Sequence, residues 1–148
     1  MVHYGHTNII TDNWQRLAQF YITVFDCKPH GPVRDLKGKW LSKGTGVQNA
    51  AITGIHLLLP GYGENAPTLE IFQYPTNIER PDVVANRKGF GHIAFKVDDV
   101  EAYTQKVLDN GGNMIGEIVH GNVEGAGEIS FVYVADPDGN IIELQKWE

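Results

Sequence analysis

Alternation of apolar and polar positions marks the strands of this chain. Ile93, Phe95 and Val97 fall on one face of an extended segment; His92, Ala94 and Lys96 fall on the other. The segments 68–74 (TLEIFQY), 128–134 (EISFVYV) and 140–147 (NIIELQKW) also read as strands. So does 47–59, which is dense in Val, Ile, Thr and Leu. Two stretches switch to helical spacing: Trp14, Leu17, Ala18, Tyr21 and Phe25, and then Val100, Tyr103 and Val107. The second stops at Asn110-Gly111-Gly112, a C-terminal stop signal. Asp12 with Gln15, and Asp98 with Glu101, predict a capping box at each helix start. Asp136-Pro137-Asp138-Gly139 predicts a turn joining the last two strands into a hairpin.

The pattern occurs twice. GHTNIITD at 5–12 and GHIAFKVD at 91–98 both open on Gly-His and reach an Asp at the same step. The halves also end alike, in Leu69-Glu70-Ile71 and Ile142-Glu143-Leu144. The prediction is an α+β fold of two βαβββ modules in one domain, residues 1–74 and 91–148, joined by a Pro-containing linker at 75–90. Each module carries a His on its first strand and a Glu on its last: His6 with Glu70, and His92 with Glu143. A carboxylate on a buried strand is costly unless paired or bound to a cation. The repeat therefore reads as a duplicated metal-ligand pattern.

Composition narrows the function classes. With 148 residues, 42% hydrophobic and 20% charged, the chain can fold without a metal or disulfide, so a metal would serve chemistry. A net charge of −6 argues against a nucleic-acid partner. Cys27 is the only cysteine, so no intrachain disulfide is expected; it reads as a packing residue. The N-terminus MVHYGHTNII lacks the features of a signal peptide, and no apolar run is long enough to span a bilayer. The expectation is a cytoplasmic protein without a membrane partner. Ser42 and Ser130 are the only serines, and neither lies in a nucleophile elbow, which argues against a serine hydrolase. Gly61-Tyr62-Gly63 mimics a dinucleotide fingerprint but precedes a strand through Pro67 rather than opening a helix.

At these residues the chain resembles the vicinal oxygen chelate superfamily, over residues 4–147. The most specific stretch, DNGGNM followed by ISFVYVADPDGNIIELQ, is similar to glyoxalase I. The resemblance implies paired βαβββ modules curled around a divalent metal, with His6, Glu70, His92 and Glu143 as its ligands. This mixed N/O set suits one Ni, Co, Zn, Mn or Fe(II) ion per site. It implies Lewis-acid chemistry, with Glu143, and Glu70 as a second candidate, moving a proton next to a carbonyl. It also implies a small-molecule substrate and a homodimer, with ligands drawn from one chain or from both.

Where glyoxalase I holds glutathione with Arg, Asn and Lys, this chain has Ile10, Tyr74 and Glu124. Glutathione is therefore not implied. Acyl-CoA epimerisation, as in methylmalonyl-CoA epimerase, is an alternative, as is non-catalytic sequestration of a small molecule or antibiotic. Lys28, Arg34, Lys37, Lys39 and Lys43 read as a solvated loop and edge strand, with a CoA phosphate as the rival reading. Phe72 and Tyr74 share Glu70's strand face and line a pocket or pack in the core. His56 reads as a wall or surface residue, with pocket acid–base work as the rival. His120 reads as a solvated residue of the 116–127 loop or as a pocket-mouth residue; that loop is a plain connection or a lid.

Overall fold

Each Gly-His phrase leads into a strand, and the partner of that strand is the last strand of the same half. A computed structural model describes all 148 residues, in two compact units, Met1–Glu79 and Arg80–Glu148. The first unit runs β1 (His6–Ile10), α1 (Trp14–Phe25), β2 (Lys28–Lys37), α2 (Lys39–Thr45), β3 (Ala51–Leu58) and β4 (Thr68–Gln73). Its sheet order is β1-β4-β3-β2, with β1 parallel to β4 and the other pairs antiparallel. The second runs β5 (Ile93–Lys96), α3 (Val100–Asp109), β6 (Asn113–Met114), β7 (Val119–Val123), β8 (Gly127–Ala135) and β9 (Ile141–Trp147). Its order is β5-β9-β8-β6, with β7 also on β8 and β5 parallel to β9. These are the βαβββ modules of the α+β prediction, each with an addition.

One face of each sheet is covered by its helix. In the first unit α1 packs on β3 and β4. Leu17 and Tyr21 of α1, Leu57 of β3, and Leu69 and Ile71 of β4 are all fully buried. Complete burial of the aliphatic side chains among them contributes about 1.5–3 kcal/mol each. In the second unit α3 packs on β8 and β9, with Val100, Val107, Val132, Val134, Ile142 and Leu144 buried. The chemistry-bearing residues alternate with these, so they project from the opposite sheet face.

Local signals differ from the prediction in instructive ways. Asn13, not Asp12, caps α1 by accepting the Arg16 backbone N–H. Asp99, not Asp98, caps α3 by accepting from Ala102 N. In each case two adjacent residues can cap, and the later one wins. Residues 119–123, predicted as loop, form edge strand β7. The Lys-rich segment is edge strand β2 followed by the short helix α2.

The predicted 136–139 turn is held by buried Asp136. Its side chain accepts from the backbone N–H of Asp138 and Asn140 and from Asn140 Nδ2. Gly139 takes φ 84°, which favours glycine. Arg80, at the start of the second unit, donates to Asn140 Oδ1 and to the Asp138 carbonyl of this turn.

Candidate metal centre

Strand register decides which side chains meet. In the first unit Glu70 stands between Asn8 on β1 and His56 on β3 in the pairing. Paired residues project from the same face, so the three converge. His6, two residues before Asn8, shares that face. Glu70 Oε2 lies 3.3 Å from His6 Nε2 and accepts from Asn8 Nδ2 at 3.3 Å. Glu70 Oε1 lies 3.1 Å from His56 Nε2. Both carboxylate oxygens are thus engaged, and the buried residue is 8% exposed. Three partners offset the cost of burying this carboxylate.

The second unit repeats the arrangement with fewer partners. Glu143 stands between Ala94 on β5 and Tyr133 on β8. His92, just before β5, places Nε2 3.1 Å from Glu143 Oε2. Ala94 occupies the position of Asn8 and has no donor to offer. Tyr133 occupies the position of His56, and its ring centroid lies 4.8 Å from that of His92.

His56 is a direct neighbour of Glu70, beyond what its strand position suggested. Its Nδ1 lies 3.4 Å from Thr68 Oγ1, and its ring meets Phe72 edge-on at 5.5 Å. Burial holds its pKa below the usual histidine value, although the Glu70 carboxylate pulls the other way. Phe72 is buried with Leu41, Ala50 and Ile52, and half-buried Tyr74 packs on that cluster. Both are core residues, and Phe72 also walls the His56 side of the site.

His120 falls elsewhere. It pairs with Ser130, whereas Glu143 pairs with Tyr133, and positions 130 and 133 face opposite sides of β8. His120 Nδ1 instead bonds Ser130 Oγ at 2.7 Å on the side that carries Asp99 and Val100. It therefore does not share the face of the His92–Glu143 pair, and residues 119–123 are strand rather than lid. Asn8 and Tyr133 were not recognised from sequence; only cross-strand register reveals them.

The donor types fit a divalent ion. Two donors bound at about 2.1 Å and at right angles stand roughly 3 Å apart, near the spacing within each pair. No group of three or more His, Cys, Asp or Glu side chains is drawn together as a metal-holding cluster.

Residues 3–144 match the model of the Glyoxalase/Bleomycin resistance protein/Dioxygenase superfamily, and the chain belongs to that family. Over 89 residues it is 35% identical to the lactoylglutathione lyase of Salmonella typhimurium, covering 60% of this chain and 62% of that protein. A glyoxalase family protein from Bacillus cereus superposes with a TM-score of 0.84 at 17% identity, covering 99% of this chain and 95% of that one. The genomically encoded fosfomycin resistance protein of Listeria monocytogenes, crystallised with Mn(II) and sulfate, gives a TM-score of 0.57 at 14% identity. That match covers 100% of this chain and 94% of the other. The last two likenesses establish the fold. The chain's matches span 38–62% of the length of its curated relatives.

Proposed function

We propose that His6, Glu70, His92 and Glu143 are the donors to a divalent metal ion in a metal-dependent lyase or isomerase. Its substrate is a small molecule with adjacent oxygens, and its reaction moves a proton next to a carbonyl. One observation carries this reading: both units set an imidazole Nε2 3.1–3.3 Å from a strand carboxylate at equivalent register positions. Family membership and the similarity to a lactoylglutathione lyase support it, as does the Mn(II) of the fosfomycin resistance protein. The ion is one of Ni, Co, Zn, Mn or Fe(II), and the working form is a homodimer.

When bound, the ion supplies Lewis acidity toward a substrate oxygen that gains negative charge. The two carboxylates have different work. Glu70 is held through both oxygens and keeps a fixed direction. Glu143 is engaged through Oε2 alone, by His92, and Oε1 is left free to take a proton from carbon. His92 orients the carboxylate for that transfer, and the Tyr133 ring limits the motion of His92.

The test uses metal-loaded protein in D2O. One arm supplies the methylglyoxal–glutathione hemithioacetal and reads S-lactoylglutathione; another supplies acyl-CoA thioesters and reads deuterium next to the thioester. Turnover in either arm, lost on chelation, is expected. Inactivity in both arms with all five metals contradicts the reading for these substrates.

A further inference from the structure

Three lysines border one open hollow in the first unit. Lys37 closes β2, and Lys39 and Lys43 stand one turn apart on α2. With Ser42, Gln48 and Asn49 they border a cavity of about 570 Å³. No carboxylate lines it. Of the lysines elsewhere, Lys28 pairs with Asp26, Lys146 with Glu148, and Lys106 lies over the Tyr103 ring, whereas Lys88 and Lys96 stand singly. Lys37, Lys39 and Lys43 have no ion-pair partner in the protein. Three of the five lysines without a partner thus stand at one place in a chain whose net charge is −6.

The frame beneath the lysines is well fixed. Lys37 is in register with Ala51, and Ser42 Oγ accepts the Ala50 N–H at 3.0 Å, which ties α2 to the start of β3. Leu41 and Ala50 pack with Ile52 and Phe72 below. The hollow therefore has an apolar floor and a basic rim.

The chemistry of the rim selects its ligand. No guanidinium lines the hollow, so the planar two-point grip that suits carboxylates and phosphates alike is missing, and the charge available is that of ammonium groups. Ammonium groups act as point charges with rotatable donors, and several together suit an anion with many oxygens and more than one charge. The volume exceeds that of a lone phosphate ion and falls among small-molecule sites, about 300–1,000 Å³.

We propose that this hollow binds the phosphoryl group of a phosphorylated small molecule. Lys37, Lys39 and Lys43 meet the charged oxygens, and Ser42, Gln48 and Asn49 supply neutral polar contacts. The site is separate from the imidazole–carboxylate pairs and stands whether or not they bind metal.

The experiment is titration calorimetry of the full chain with ADP and with inorganic pyrophosphate, with EDTA present so that no metal bridges protein and ligand. Both probes should bind, and Lys39→Gln/Lys43→Gln should weaken binding about tenfold. Lys28→Gln, outside the hollow, should leave affinity within about twofold. Three results would overturn the proposal: no binding at millimolar ADP, equal weakening by Lys28→Gln, or citrate binding as tightly as ADP. Binding of pyrophosphate without ADP would overturn the claim that the hollow takes an organic phosphate.

Discussion

Glu70 and Glu143 hold the same place in their two units, yet one is bound on every side and the other is nearly free. Glu70 has His6, Asn8 and His56 around it; Glu143 has His92. The difference comes from two positions. Asn8 becomes Ala94, and His56 becomes Tyr133. The flanking aromatics are exchanged as well. Gly54 lies opposite Phe72 in the first unit, whereas Phe131 lies opposite Gln145 in the second. A duplicated frame can thus keep a His–Glu pair while one carboxylate is held through both oxygens and the other through one.

The largest expected effect tests that division. Glu143→Gln should lower kcat about 10²–10⁴-fold while metal content is retained. Glu70→Gln should instead reduce bound metal, read by elemental analysis. Equal behaviour of the two variants would erase the distinction.

Gly54→Ala should destabilise the first unit by about 3 kcal/mol or more in denaturant unfolding. A Cβ at Gly54 would sit 2.1 Å from the Ile71 carbonyl oxygen, at φ 154°. Phe131, at the matching place in the second unit, already carries a side chain. Phe131→Ala should therefore cost less than Gly54→Ala, and the reverse order would contradict the packing described.

Asp136→Ala should cost about 2–4 kcal/mol, because three donors lose their buried acceptor. Unfolding by denaturant measures it. The first unit has no buried carboxylate in its β3–β4 connection, which closes through Leu59 N to the Pro67 carbonyl.

His56→Tyr, which copies the second unit, should free Glu70 Oε1 and weaken metal affinity about tenfold. Competition with a chromophoric chelator reads this. Unchanged affinity would remove His56 from the support of Glu70.

Cys27 matters only at alkaline pH. Burial, reinforced by Asp26, pushes its thiol up to about 12 from a reference value of 9.0. Folded protein at pH 8 should resist iodoacetamide. From pH 9 toward 12 the unfolded chain releases this proton before the folded one, so stability falls as pH rises, by at most about 1.4 kcal/mol per unit. Cys27→Ala should remove that slope.

The strand–helix repeat and the His6–Glu70 and His92–Glu143 pairings were legible because they rest on local period and on a phrase written twice. β2 was legible only as a loop and edge strand without bounds, because Pro29, Gly31 and Pro32 break its alternation. It survives as an edge strand whose register shifts between His30 and Arg34. β7 escaped for a similar reason: every residue is exposed and Gly121 lies at its centre. α2, seven residues long with Gly44 inside, is too short to display a period. The helix starts were displaced by one residue where Asn13 and Asp99 each follow another capable cap. The partnership of His56 with Glu70 depends on the β3–β4 register, which no single strand pattern encodes.

The central proposal is that both imidazole–carboxylate pairs supply donors to a divalent ion. Its most direct test is metal content per chain in stripped and reloaded protein, compared with His6→Ala and His92→Ala made singly. The account predicts one divalent ion per chain, lost or greatly weakened in either variant. Two ions per chain, with each variant losing one, would make the pairs separate sites, and no ion under any loading would contradict the metal chemistry itself.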